Sequence, residues 1–245
     1  MACPSRRCRP LPTRWRTVRV AWAFHQDLEE ATLTPELPPG RGRGALLLAD
    51  ISGYTSFLET VRVAHAADAF AEGRIPDAYA LMSSLLDGIA GRIDPPFGLV
   101  KFEGDAVFAV APDAIAPRGP AVTACIAACY RDFVERRERA GLTWTCTCDA
   151  CARKDALDLK FVLHHGEYVV QAVGRHVEVL GPDVTLAHRL LKSGAAELVG
   201  SRAYALVTDA AIDALELATE DAPELVERYD GVPEVRSRVI ALRPS

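Results

Sequence analysis

Short apolar runs and stretches with helical spacing alternate along the chain from residue 45 onward. The run at 45–51 ends at Ser52-Gly53 and predicts a buried strand that enters a turn. Two amphipathic helices are predicted next, with apolar residues three and four positions apart: Phe57, Leu58, Val61 and Ala64 in the first, and Ala80, Leu81, Leu85 and Ile89 in the second. From residue 45 onward, the predicted order of elements is therefore a strand followed by two helices.

The rest of the chain predicts a hairpin, a long helix and several further strands. Residues 99–102 and 107–110 are apolar runs around the turn Glu103-Gly104-Asp105-Ala106, and a helix is predicted over 119–140. Strands are then predicted at 157–164, 168–173, 176–180 and 237–242, and helices at 184–192 and 209–217. This order of elements indicates an α+β fold with a largely antiparallel sheet.

The first 44 residues differ from the rest in composition. They carry eight Arg and four acidic residues and end in Pro38-Pro39-Gly40-Arg41-Gly42-Arg43-Gly44, which predicts a disordered Arg/Pro-rich extension over 1–44 and a folded domain over 45–245. The domain holds 20 basic and 29 acidic side chains, so it is acidic. An acidic body argues against nucleic acid as a partner, because such binding needs clustered Lys and Arg. No apolar run is long enough to cross a bilayer, so we expect a cytoplasmic protein without a membrane partner.

Two aspartates stand where an apolar strand meets a turn. Asp50 is the last residue but one of the first predicted strand, and Asp105 lies in the hairpin turn. A buried strand does not accommodate an unpaired carboxylate, because removing its charge from water is costly. Either residue alone also fits a structural role, Asp50 as a helix N-cap and Asp105 as a turn residue. Together they favour a site for Mg²⁺ or Mn²⁺, which prefer hard oxygen ligands.

Four segments, in order and with fitting spacing, resemble the catalytic domain of class III nucleotidyl cyclases. They are Ala49-Asp50-Ile51-Ser52-Gly53-Tyr54-Thr55, Lys101-Phe102-Glu103-Gly104-Asp105, Leu163-His164-His165-Gly166-Glu167 and Gly181-Pro182-Asp183-Val184-Thr185-Leu186-Ala187-His188-Arg189. The resemblance spans about residues 45–242 and is most similar to an uncharacterised branch, a domain of unknown function with a Cys-x-Cys-x-x-Cys insert. It implies a ferredoxin-like cyclase domain with helices on one side of the sheet.

The same resemblance implies that ATP is converted to cyclic AMP and pyrophosphate at a homodimer interface. Two Mg²⁺ or Mn²⁺ ions per site would be held at Asp50, Ile51 and Asp105. The phosphates would lie at the start of the following helix, where free amides and the helix dipole favour anions: Ser52, Gly53, Tyr54 and Thr55. Arg189 would stabilise the charge that develops on the transferring phosphoryl group.

Lys101 and Glu178 fall at the positions that recognise the base in this family. Lys101 matches the adenine-selecting pattern, which favours ATP over GTP, whereas Glu178 is one methylene longer than the usual Asp. Thr185 stands where the family has an asparagine that orients the ribose, and a hydroxyl lacks the reach of a carboxamide. Two functions stay open: an adenylate cyclase, or a catalytically degenerate module that binds a nucleotide or regulates a partner.

Five cysteines cluster between residues 125 and 151. Cys146, Cys148 and Cys151 form a Cys-x-Cys-x-x-Cys loop, and Cys125 and Cys129 lie one turn apart on the preceding predicted helix. Four thiolates can bind zinc tetrahedrally, so the loop trio together with Cys129 or Cys125 predicts a structural Zn²⁺ site. The alternative is a set of reduced thiols without a metal.

Overall fold

The computed structural model describes residues 37–66, 73, 75–144, 146 and 148–244. The strands are β1 (Gly40–Ser52), β2 (Gly98–Glu103), β3 (Ala106–Pro112), β4 (Asp158–Val173), β5 (His176–Leu180), β6 (Tyr204–Thr208), β7 (Glu224–Glu227) and β8 (Val235–Ala241). The helices are α1 (Tyr54–Ala64), α2 (Asp77–Ile93), α3 (Pro120–Thr143), α4 (Asp149–Ala152), α5 (Pro182–Leu190), α6 (Ala195–Val199) and α7 (Asp209–Leu215), and a 3-10 turn, Arg153–Ala156, follows α4. Within these ranges no helix has the length and apolarity needed to cross a membrane. Residues 1–36 of the predicted extension lie outside the described residues.

The strands form one sheet in the order β2-β3-β1-β4-β6-β8-β7, with β5 paired to β4 off this path. The pairing of β4 with β6 is parallel, and every other pairing of described strands is antiparallel. The parallel pair requires a crossover between its strands, and α5 and α6 provide the helical part of that connection. The predicted fold class, α+β with a largely antiparallel sheet, is confirmed.

Both faces of the central strands are buried. In β1, Leu47 and Ala49 belong to the core covered by α1, α2 and α3, whereas Leu46 and Leu48 belong to a second core covered by α5 and α6. Successive side chains of a strand point to opposite faces, so an apolar run such as the one in β1 needs cover on both sides. The helices therefore lie on both faces of the sheet, whereas the resemblance implied one.

β1 begins at Gly40, so residues 40–44, which composition assigned to the disordered extension, form part of a strand instead. A side chain at Gly42 would meet the ring of Tyr168, and one at Gly44 would clash with the main chain of Ala111. These glycines allow β1 to lie close to its neighbours, so their role is packing rather than flexibility.

Candidate active site

Asp50, near the end of β1, and Asp105, in the turn before β3, lie at the same end of these neighbouring strands, and we call this pair the carboxylate rim. Asp50 is the register partner of Ala106, and the N–H of Ile51 donates to the carbonyl of Asp105 over 3.1 Å. Burial raises the pKa of the Asp105 carboxyl, and the negative charge of Asp50 raises it further. The two carboxylates therefore lie within electrostatic reach of each other.

The carboxylate rim carries more negative charge than its described protein neighbours offset. Lys160 Nζ lies 3.1 Å from Asp50 Oδ1, and its positive charge lowers the pKa of Asp105, but burial and Asp50 outweigh it. The side chain of Ile51 is a hydrocarbon with no ligand atom, so only its main-chain carbonyl can serve as a ligand. A divalent cation with hard oxygen ligands would offset the remaining charge. The residues of the rim therefore fit Mg²⁺ or Mn²⁺.

Helix α1 begins beside the carboxylate rim. Gly53 precedes its first residue with φ at 86°, a left-handed conformation that favours glycine, and a Cβ there would lie 2.9 Å from the carbonyl of Ala156. Burial, followed by the charge of Asp105, raises the pKa of the Tyr54 hydroxyl, which places Tyr54 near the rim. Thr55 is exposed in the first turn, where the backbone amides lack partners within the helix.

A cavity of about 430 Å³ runs beside the first two turns of α1, and we call it the cationic cavity. Its lining includes three hydroxyl side chains and three cations: Ser52, Ser56, Thr60, Arg153, Lys160 and Arg202. The volume lies within the range of small-molecule sites, and the charge suits a chain of phosphates. Arg153 and Arg202 were not among the sequence-predicted site residues, because nothing in their spacing marks them as neighbours of α1.

Lys101 and Glu178, the predicted base-recognition residues, are brought together by the fold. Lys101 Nζ lies 2.8 Å from Glu178 Oε2 and 3.0 Å from Glu103 Oε1, and His188 Nε2 lies 2.6 Å from Glu103 Oε2. We call these four residues the ion-pair cluster. Burial lowers the pKa of Lys101, but hydrogen bonds to Glu178 and Glu103 outweigh it and raise the pKa above its ordinary value. Lys101 is therefore firmly cationic.

His188 fastens α5 to β2. Its Nδ1 lies 2.7 Å from the carbonyl oxygen of Val184, and its Nε2 faces the Glu103 carboxylate. Both partners are acceptors, so both ring nitrogens donate and the imidazole is charged. The hydrogen bond to Glu103 raises the pKa of His188, and the same bond lowers the pKa of Glu103. The sequence did not predict this contact, because nothing in the residues around a helical histidine indicates a partner 85 residues away.

We expect the ion pair of His188 and Glu103 to make stability depend on pH. The raised pKa of His188 means that its contribution is fully present below the ordinary value of 6.5 and is lost as pH rises through the folded-state pKa. The lowered pKa of Glu103 means that its contribution is present above 4.5 and is lost as pH falls through the folded-state pKa. His188→Ala should lower the unfolding free energy by about 1.5 kcal/mol between pH 4.5 and 6.5, and by less at lower and at higher pH, in urea titrations over a pH series.

The exposed His176 on β5 supplies the control for this prediction. His176→Ala should leave both the unfolding free energy and its pH profile close to those of the parent protein. A loss of stability in His188→Ala that is the same at every pH would contradict a charged His188.

Thr185 and Arg189 lie four residues apart on the exposed side of α5. Thr185 Oγ1 donates to the carbonyl of Gly181 over 3.1 Å, and the Arg189 guanidinium lies 6.0 Å from the ring centroid of Tyr229. Among the described residues no hydrogen bond or ion pair joins Arg189 to the carboxylate rim. Lys160, which pairs with Asp50, also donates to the carbonyl of Leu191 just after α5 over 3.1 Å. Within one chain, therefore, α5 ends near the rim, but no described bond joins its Arg189 to the two carboxylates.

Three of the predicted zinc ligands meet at a histidine that sequence reasoning missed. His65 Nε2 lies 3.6, 3.4 and 3.4 Å from the sulfur atoms of Cys146, Cys148 and Cys151. Cys125 and Cys129, both on α3, are not part of this group, so the predicted fourth ligand from α3 is replaced by His65. Burial raises the pKa of the Cys125 thiol to about 11. We call the four residues that meet the His-Cys cluster.

Comparison with known sequences gives one family and one relative. A family described as a protein of unknown function (DUF2652) matches residues 82–197. The uncharacterized protein Rv2561/Rv2562 of Mycobacterium tuberculosis is 32% identical over 171 residues, which cover 67% of this chain and 73% of that protein. The predicted likeness to a domain of unknown function is therefore confirmed, while the cysteine insert as a family feature stays a prediction.

Solved structures of class III cyclases share the fold. The guanylyl cyclase Cya2 has a TM-score of 0.54 at 17% identity, with 84% of this chain and 96% of that chain covered. A bacterial light-regulated adenylyl cyclase has a TM-score of 0.53 at 13% identity, with 85% and 56% covered.

A class III adenylyl cyclase-like ATP-binding protein from Pseudomonas aeruginosa has a TM-score of 0.50 at 18% identity, with 73% of this chain and 35% of that chain covered. At such identities these likenesses establish the fold, and they agree with the predicted class III cyclase domain. This chain therefore belongs to the family of the mycobacterial protein Rv2561/Rv2562 and has the fold of class III nucleotidyl cyclases.

Proposed function

We propose that this protein is a metal-dependent cyclase that converts ATP to cyclic AMP and pyrophosphate at a homodimer interface in the cytoplasm. The observation that carries the proposal is the carboxylate rim beside the cationic cavity at the start of α1. Two neighbouring carboxylates that could share a metal ion, next to cationic side chains and the first-turn amides of a helix, are the groups that a nucleoside triphosphate and its metal ions require.

The protein groups around the phosphates would bind and orient them. Mg²⁺ or Mn²⁺ held by Asp50, Asp105 and the carbonyl of Ile51 would supply Lewis-acid activation of the ribose 3′ hydroxyl and neutralise phosphate charge. The first-turn amides of α1 would donate to phosphate oxygens, in the direction that the helix dipole favours. Arg153 and Arg202 would offset the negative charge of the phosphates that the metal ions leave, because the acidic chain would otherwise repel the nucleotide.

The ion-pair cluster would select the base. Lys101 can donate to the N1 acceptor of adenine, while the Glu178 carboxylate accepts from the 6-amino group. Guanine would present its 6-oxygen to the same carboxylate, and two acceptors that face each other repel. Lys101 already orients Glu178 through their 2.8 Å contact, so the pair is arranged before the nucleotide arrives. ATP is therefore the proposed substrate.

A second copy of the chain would complete the site. Arg189 and Thr185 occupy the exposed side of α5, and among the described residues neither makes a hydrogen bond or ion pair with the carboxylate rim of its own chain. In a twofold dimer, α5 of one copy can face the rim of the other, and the arrangement is then repeated at a second site. Arg189 would stabilise charge on the transferring phosphoryl group, and the Thr185 oxygen would accept a hydrogen bond from the ribose.

A turnover assay tests the proposal directly. Purified protein with Mn²⁺ and ATP should form cyclic AMP at a rate at least about tenfold above its rate of cyclisation of GTP. No product should form when EDTA replaces the metal. The Thr185 hydroxyl, which is engaged with its own helix, favours the alternative of a degenerate binding module. ATP binding by calorimetry together with only background product would contradict the cyclase and support that module.

A further inference from the structure

We propose that the His-Cys cluster is a structural Zn²⁺ site that fastens the end of α1 to α4. Its four ligand atoms are His65 Nε2 and the sulfurs of Cys146, Cys148 and Cys151, and all of them lie within 4.8 Å of one another. One imidazole and three thiolates are a ligand set typical of structural zinc.

The distances in the His-Cys cluster match those of a tetrahedral zinc centre. Zinc bonds of about 2.05 Å to nitrogen and about 2.3 Å to sulfur, at tetrahedral angles, place the nitrogen about 3.6 Å from each sulfur. The three observed separations are 3.6, 3.4 and 3.4 Å. The side chains are therefore already spaced as ligands around one ion.

Hydrogen bonding alone does not account for this arrangement. The neutral Nε2 of His65 offers either one N–H or one lone pair, so it can satisfy one sulfur and not three. Thiols are also weak donors and weak acceptors. A cation at the centre, by contrast, attracts the nitrogen and all three thiolates at once.

The position of the His-Cys cluster points to a structural role. His65 follows the last residue of α1, and Cys148 is the N-cap of α4, where its sulfur accepts the N–H of Cys151 over 3.4 Å. Such N–H donation to a ligating sulfur is a common second layer of metal sites. Four protein ligands leave no open position for a substrate, and Cys151 is fully buried. The ion would join segments more than 80 residues apart and hold a four-residue helix that is too short to be stable alone.

Elemental analysis of the full-length protein tests the site. Protein as purified, or refilled with zinc after chelation, should hold one zinc per chain, and chelation should lower Tm by about 5–10 °C. Replacement of zinc by Co²⁺ should give the visible absorption of tetrahedral cobalt with thiolate ligands. Cys146→Ser/Cys148→Ser should lose the zinc, whereas His65→Cys, which restores a fourth ligand, should keep it.

The buried thiols outside the cluster provide the matched control. Cys125→Ser should keep one zinc per chain, because its sulfur contacts the carbonyl of Arg92 rather than the cluster. No stoichiometric zinc before or after reconstitution, a chelator without effect on Tm, or loss of zinc in Cys125→Ser would overturn the proposal. The readouts are metal content, Tm and absorption, so this result is independent of whether the protein turns over ATP.

Discussion

Asp50→Ala and Asp105→Ala are each expected to abolish cyclic AMP formation, with a fall in kcat of about 1000-fold or more. Each substitution removes one of the two carboxylates at the carboxylate rim, so the proposed metal ions lose a ligand and the triphosphate loses its bridge to the protein. Turnover with saturating Mn²⁺ and ATP measures the effect. ATP alone should still bind, because neither substitution removes a residue of the ion-pair cluster or of the cationic cavity.

A loss of metal binding is distinguishable from a loss of folding. Burial and the charge of Asp50 raise the pKa of Asp105, so the ionised carboxylate is unfavourable in the metal-free protein. Its removal should therefore not lower the Tm of the metal-free protein. Mn²⁺ should raise the Tm of the parent protein but not that of Asp105→Ala. Asp213→Ala, which changes an exposed aspartate on α7, should retain both turnover and the response to Mn²⁺. More than a tenth of parental turnover in Asp105→Ala would contradict a metal role for the rim.

Local periodicity was sufficient to predict most of the elements around the rim. The apolar run that contains Asp50, the hairpin that carries Asp105 and the helical spacing of α1 are all encoded within a few consecutive residues. Each aspartate lies where a buried strand meets a turn, so it could be identified as a candidate metal ligand without knowledge of any partner. The order of elements then predicted the fold class.

Features that depend on distant partners were not predictable in this way. β4 is a single strand from Asp158 to Val173 where two were predicted, because its second half is completed by β5 and by the glycine-rich start of β1. β6 was not predicted either, since its apolar residues acquire their strand partners, β4 and β8, only in the folded sheet. Strand pairing is a property of the whole fold.

The same distinction separates the site residues that sequence predicted from those it missed. Cys146, Cys148 and Cys151 lie within six consecutive residues, so their spacing alone indicated that their sulfurs converge. His65 joins them from the end of α1, more than 80 residues earlier, and no local pattern records that approach. His188 likewise meets Glu103 only because α5 packs against the sheet. Spacing along the chain predicts ligands that are close in sequence, whereas ligands from distant elements are known only once the elements pack together.

The contact of His188 with Glu103 also bears on how the proposed dimer works. It ties α5, which carries Arg189, to the strand that leads into the turn of Asp105. Within one chain, this contact fixes the position of α5 relative to the hairpin that carries Asp105, and each copy would contribute these two elements to different sites. A dimer should therefore behave as two composite sites, each with a carboxylate rim from one copy and an α5 from the other.

A mixture of two inactive variants is accordingly expected to regain activity. Asp50→Ala lacks a functional rim, and Arg189→Ala lacks the cation on α5, so each homodimer should be inactive. In a mixed dimer, the intact rim of the Arg189→Ala chain faces the intact Arg189 of the Asp50→Ala chain. With random exchange, half of the dimers are mixed and one of their two sites works, so turnover should recover to about one quarter of the parental value.

The matched control combines two lesions in the same set of residues. Asp50→Ala mixed with Asp105→Ala leaves no intact rim in any dimer, so turnover should stay at background although the chains exchange equally well. Native mass spectrometry of tagged chains would establish that mixed dimers form in both cases. Recovery in the first mixture alone requires the rim and Arg189 to act across the interface. If the first mixture stays inactive while mixed dimers are present, the rim and Arg189 do not act across an interface between two copies.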